Sequence, residues 1–217
     1  MTFDDVMTRL ADLSSPDLLA RNASNGGGSV PMGDIRAVAK AIKSDHALGQ
    51  RLWATGQVDA RLVALLIMKP KALDLSEVEA MVRSNDRLWV SDWLNSYVVK
   101  QHPGKETLRQ RWERATHPFT ARAYWSLTAE RVAKSPEGLD LGGLLDRLAD
   151  EMPGADPVVQ WTMNNTLAGI GIAHPEFRAR ALEMGEAMGI YRDYPTPKGC
   201  TSPFAPLWIE EMVKRAG

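Results

Sequence analysis

From Asp86 to Lys100 the chain reads DRLWVSDWLNSYVVK, and side chains able to do chemistry stand there at helical spacing. Trp89, Trp93 and Tyr97 recur every four residues while Leu94 and Val98 widen the apolar surface, which predicts one helix packed along about half of its circumference. The remainder carries Ser91, Asp92, Asn95 and Ser96. Asp92 and Asn95 are three residues apart and Ser91 and Asn95 four apart, so a carboxylate, an amide and a hydroxyl share a face and can converge on one ligand. The carboxylate only accepts hydrogen bonds, whereas the other two groups both donate and accept. Short polar side chains at such positions also serve as solvated surface or as bonds to a neighbouring helix.

Other candidate chemistry is sparse. Of the four histidines, His102, His117 and His174 precede proline, a position where helices start or stop, and no His/Glu pair has metalloprotease spacing. No metal site and no cofactor are expected. The lone Cys200 has no base beside it in sequence and reads as a structural thiol. Asn25 to Gly33, NGGGSVPMG, lacks the Gly-Lys-Ser/Thr ending of a phosphate loop and follows no strand pattern, so it is expected to be a flexible connection. Asn164 and Asn165 interrupt an apolar helix, and buried amides need partners, so the pair either bonds across a helix stack or faces a binding groove.

The elements that must position these groups are helices. Polar starts at Thr2, Ser15, Asp45, Asp59 and Ser76 each precede an apolar stripe. The run LVALLIM, Leu62 to Met68, is apolar all round and predicts a central helix ending before Pro70. Ile35, Val38, Ala39 and Ile42 form one stripe with Arg36, Lys40 and Lys43 on the opposite, basic side. Residues 190–206 are proline-rich and read as a loop, and no segment alternates like a strand. About twelve helices with a face recurring roughly every 35 to 40 residues match the spacing of helical-repeat arrays. The fold expected is therefore all-α, a superhelical solenoid of HEAT-like antiparallel helix pairs forming a single domain over residues 1–217.

Composition bounds the environment. With 217 residues the chain needs no covalent staples, and one cysteine excludes an internal disulfide, as suits a reducing cytoplasm. The acidic start MTFDDVM and the short apolar runs give no reason to expect export or a membrane partner. The net charge of -1 is unevenly spread: -2 over residues 1–32, +6 over 33–134, -6 over 135–193 and +1 over 194–217. A basic central half attracts phosphates if its cations share a face.

Four segments in order, MGDIRAVAKAI (Met32 to Ile42), DRLWVSDWLNSYVV (Asp86 to Val99), HPFTARAYWSL (His117 to Leu127) and VVQWTMNNTLAGIGIAHP (Val158 to Pro175), resemble the AlkD-type DNA alkylation-repair family. KGCTSPFAPLWIEEMV (Lys198 to Val213) is similar to one branch of it. The resemblance implies a HEAT-like fold whose basic groove binds duplex DNA, alkylated or otherwise perturbed. In active members it also implies excision of cationic N3- or N7-alkylpurines, with an Asp between two groove tryptophans stabilising the positive charge that develops on the sugar.

Carried onto this chain, the first groove Trp falls at Ser91, the Asp at Asn95 and the second Trp at Asn165. Asp92 and Arg122 match the pattern, Arg122 as a phosphate contact. A register in which Trp89 pairs with Asp92 is the alternative. Asn95 is neutral, so glycosylase activity stays open. The rival expectations are a non-catalytic scaffold that binds protein, and binding of unusual DNA structures without excision. DNA contacts are expected from Arg36, Lys40, Ser91, Arg122 and Asn165, and any catalytic role from Asp92 and Asn95.

Overall fold

The computed structural model describes residues 1–216, which contain thirteen α-helices and no strand. The chain divides into two compact units, Met1–Leu108 and Arg109–Gly217.

In the first unit the helices are α1 (Phe3–Asp12), α2 (Pro16–Asn22), α3 (Met32–Ile42), α4 (His46–Ala54), α5 (Val58–Ile67), α6 (Leu75–Arg83) and α7 (Leu88–Tyr97), and the unit boundary falls within α8 (Lys105–Arg111). Three of the expected starts hold. Thr2 and Asp5 exchange backbone and side-chain bonds in a capping box, Ser15 accepts from Leu18 N–H ahead of Pro16, and Asp45 accepts from Leu48 N–H at 3.0 Å. Two differ. Asp74, not Ser76, caps α6, and Ser76 donates to the Asp74 carboxylate from inside the helix. Gln57 occupies the cap of α5 without a side-chain bond, because the Asp59 carboxylate is engaged elsewhere.

Asp59 holds the glycine-rich segment. Its Oδ2 accepts from Ser29 N–H at 2.9 Å and from Ser29 Oγ–H at 2.8 Å, and its Oδ1 accepts from Val30 N–H at 3.2 Å. The glycines permit the approach: a Cβ on Gly28 would stand 1.9 Å from Asp59 Oδ1, and one on Gly27 would stand 2.3 Å from Trp89 Cε3 of α7. The stretch expected as a flexible connection is thus fastened to the first turn of α5 and fitted under an indole. The apolar helix α5 is central, as its sequence predicts, with Ala60, Leu62, Val63, Ala64, Leu65 and Ile67 buried against α3, α4 and α7.

The second unit contains α9 (Pro118–Lys134), α10 (Leu141–Glu151), α11 (Pro157–Ala173), α12 (Pro175–Met188) and α13 (Ala205–Ala216). Helix α11 lies at its centre, packed on α9, α10, α12 and α13. Polar groups tie it to α9: Thr166 Oγ1 lies 3.1 Å from the Trp125 carbonyl oxygen, and His174 Nε2 lies 3.0 Å from that of Val132. On its other side a Cβ at Gly171 would come within 2.5 Å of Ile209 Cδ1, so a larger residue there would force the Ile209 side chain of α13 to shift. The expected long loop is present but ends at Phe204, because Ala205 and Pro206, read as loop, form the first turn of α13, where proline is tolerated.

Replacing Asp59 with Ala strands two backbone N–H groups and the Ser29 hydroxyl, and hydrogen bonds to a charged group are worth ~1.5–3 kcal/mol each before non-additivity. Urea unfolding should show Asp59→Ala and Gly28→Ala each losing about 3 kcal/mol. Losses below about 1 kcal/mol in both would mean that this anchor does not hold the loop.

Candidate nucleic-acid interface

Helix α7 turns differently from its expected orientation. Its buried arc is set by Val90, Leu94 and the following Val98, four residues apart, and Ser91 and Asn95 fall inside that arc, each 4% exposed. Asp92 and Ser96 stay exposed, and Trp89, Trp93 and Tyr97 flank the arc half-buried. The polar face read as one surface is therefore split, with the only carboxylate of α7 outside and the amide inside. Asn95 Oδ1 is buried without a hydrogen-bond partner among the described residues. Such a group costs ~1–3 kcal/mol of stability.

Beside this arc α7 meets the basic side of α3. The Arg36 guanidinium lies 4.8 Å from the centroid of the Trp93 ring, and its Nη1 donates to the Tyr97 hydroxyl at 3.0 Å. Trp93 and Tyr97 are themselves 5.2 Å apart between centroids. An exposed cation over an indole gains ~0.5–1 kcal/mol, and here the hydrogen bond to Tyr97 further restrains the guanidinium. Lys40, one turn further along α3, is exposed. Arg36, Lys40 and Asp92 thus present charge at the surface of this unit, whereas Ser91 and Asn95 do not.

In the second unit Arg122 is 2% exposed and donates from Nη1 to the Val158 carbonyl oxygen at 2.5 Å. An expected phosphate contact is thereby found in the packing between α9 and α11. Asn164 is buried and donates from Nδ2 to the Pro203 carbonyl oxygen at 2.9 Å, so this member of the pair ties the proline-rich loop to α11. Asn165 is half-buried, and its Oδ1 has no partner among the described residues.

One turn before Asn165 on the same face, Trp161 belongs to a group that inspection of the sequence missed. Its ring centroid lies 5.2 Å from that of Tyr191 and 5.7 Å from that of Tyr194, and the two tyrosines are 5.8 Å apart. Tyr191 adopts φ 62°, a left-handed conformation costing a residue with a Cβ ~1–2 kcal/mol. Burial pushes its phenol pKa up and the nearby Arg122 charge pulls it down, with burial the larger effect. The signal available in sequence was YRDY, two tyrosines three apart in a loop. Only the folded loop brings them to Trp161.

The histidines are structural. His102 Nδ1 accepts from Gly104 N–H at 3.0 Å, leaving Nε2 to donate to the Leu73 carbonyl oxygen at 3.0 Å. Cys200 is exposed.

Helices packed in this order define a HEAT-like repeat protein. A solved structure described as a new family of proteins related to the HEAT-like repeat DNA glycosylases, with affinity for branched DNA structures, superposes on the whole chain and on 95% of its own, with TM-score 0.80 and 21% identity. The expected all-α class and HEAT-like pairing are those of this fold. The sequence model of the DNA alkylation repair enzyme family matches residues 14–206, and the chain belongs to that family. No curated protein matches. No helix among the described residues is long and apolar enough to cross a membrane.

An orphaned buried amide is a liability that a shape-matched apolar side chain removes. Asn95→Leu should stabilise the fold by about 1 kcal/mol in urea unfolding. A destabilised Asn95→Leu variant would show that Oδ1 has a hydrogen-bond partner in solution.

Proposed function

We propose that this protein binds DNA, branched or otherwise perturbed in preference to regular duplex, and that it excises alkylated bases slowly or not at all. The observation that carries this reading is Asn95: a neutral amide, 4% exposed, at the position where the family resemblance calls for a carboxylate. A departing cationic base leaves positive charge on the sugar, which a fixed anion stabilises and an amide meets only with its dipole. Losing one preorganised electrostatic contact costs ~3 kcal/mol, about a hundredfold in rate. Ser91 and Asn165, standing where the resemblance calls for tryptophans, remove the flanking rings as well. Asp92 retains a carboxylate, but it is exposed, where water screens its charge.

Binding has the groups it needs. Arg36, held over the Trp93 ring and bonded to the Tyr97 hydroxyl, is restrained in position to meet a phosphate, and Lys40 adds a point charge one turn away. Contacts of this kind read backbone and shape rather than sequence. The affinity for branched DNA in the description of the structural relative supports the preference for perturbed DNA. The protein would act in a reducing, DNA-containing compartment, where its single exposed thiol stays reduced.

The test is fluorescence-anisotropy titration of a four-way junction and a linear duplex across a salt series. The wild type should bind the junction more tightly, with log affinity falling linearly in log salt. Arg36→Ala and Lys40→Ala should weaken both complexes uniformly and each reduce the salt slope by about 0.9. Absence of binding to either DNA at low salt would refute the reading and favour a protein-binding scaffold.

A further inference from the structure

The second unit holds a surface that the phosphate-binding reading leaves unused. Trp161, Tyr191 and Tyr194 bring three rings within 5.2 to 5.8 Å of one another at interplanar angles of 53° to 88°. Rings tilted in this way meet by their edges, and Tyr194 is 47% exposed. On the face of α11 that carries Trp161, the half-buried Asn165 amide follows one turn later, its Oδ1 buried and without a partner among the described residues. The loop supplies both tyrosines only by holding Tyr191 in a left-handed conformation, strain that the surrounding packing must offset.

We propose that this aromatic group is a stacking site for one unpaired nucleobase, with the Asn165 amide as hydrogen-bond partner for the base edge. The inference rests on the DNA-binding reading and deepens it, since a base free to stack is what perturbed DNA offers and regular duplex does not. Two features select this occupant. The exposed Tyr194 ring offers a planar base a stacking partner, and every base has a π-face, so the site demands no sequence. The amide both donates and accepts, which suits a base edge.

The experiment compares two labelled duplexes of equal length, one fully paired and one with a single bulged 2-aminopurine, by anisotropy and by 2-aminopurine fluorescence. The wild type should bind the bulged duplex more tightly and quench its fluorescence as the base stacks. Tyr194→Ala should weaken bulged binding about tenfold, abolish the quench and leave paired-duplex binding unchanged, while Tyr194→Phe retains preference and quench. Tyr194 is exposed, so its truncation leaves the fold in place, which thermal melting checks. Equal loss on both duplexes or no loss on either would overturn the stacking site and leave the DNA-binding reading standing, and a wild type without bulge preference would overturn the site and confine the preference in that reading to branched DNA. A wild type that binds neither duplex would overturn both.

Discussion

An α-helix offers one buried arc, and whatever side chains fall within it go inside together. In α7 that arc is fixed by Val90, Leu94 and Val98, the aliphatic residues nearest its centre, and everything distinctive about the candidate site depends on it. Ser91 and Asn95 are drawn in because each follows an anchoring residue, and Asp92 is left out because it is one further step around the helix. A carboxylate at the Asn95 position would be taken from water with its neighbours and held there at a cost unless fully paired. An amide at the same point incurs a smaller penalty and carries no charge. One substitution of oxygen by nitrogen therefore separates a helix equipped to stabilise a cation from one that is not.

Three arginines of the chain illustrate how burial sorts one residue type into different roles. Arg36 is exposed, stacked on Trp93 and oriented by Tyr97, so its remaining N–H groups face solvent. Arg122 is 2% exposed and donates to the Val158 carbonyl oxygen, which makes it part of the α9 and α11 packing. Arg147 lies between them in character, half-buried over Tyr124 and Trp125: burial lowers its pKa, but the hydrogen bond to Glu151 and the nearby Tyr124, Glu151 and Glu113 together raise it above its usual value. On the proposed reading only the first kind meets DNA directly, and the buried cation shapes the potential around Tyr191.

The sequence disclosed what is decided locally. Caps at Thr2, Ser15 and Asp45 need only their own helix, and the all-round apolar α5 needs only its composition to be central. It misled where a side chain serves a distant partner. Asp59 looks like a cap but bonds Ser29 and Val30, some thirty residues earlier in the chain, and the glycines of that loop are there for close approach to Asp59 and Trp89. The polar face of α7 is not legible in the spacing, because Trp89, Trp93 and Tyr97 form the larger apolar stripe while the smaller Val90 sets the register. The Trp161, Tyr191 and Tyr194 group was illegible because it depends on one left-handed residue in a loop without periodicity.

The most direct measurement is the release of free methylated purine from alkylated duplex DNA under single-turnover conditions, with wild-type protein in excess and binding verified in the same tubes. Bound DNA with release no faster than the spontaneous rate is the predicted result, because Asn95 supplies no charge to the departing base. Rapid release that Asp92→Asn abolishes would contradict it and transfer the catalytic role to the exposed carboxylate.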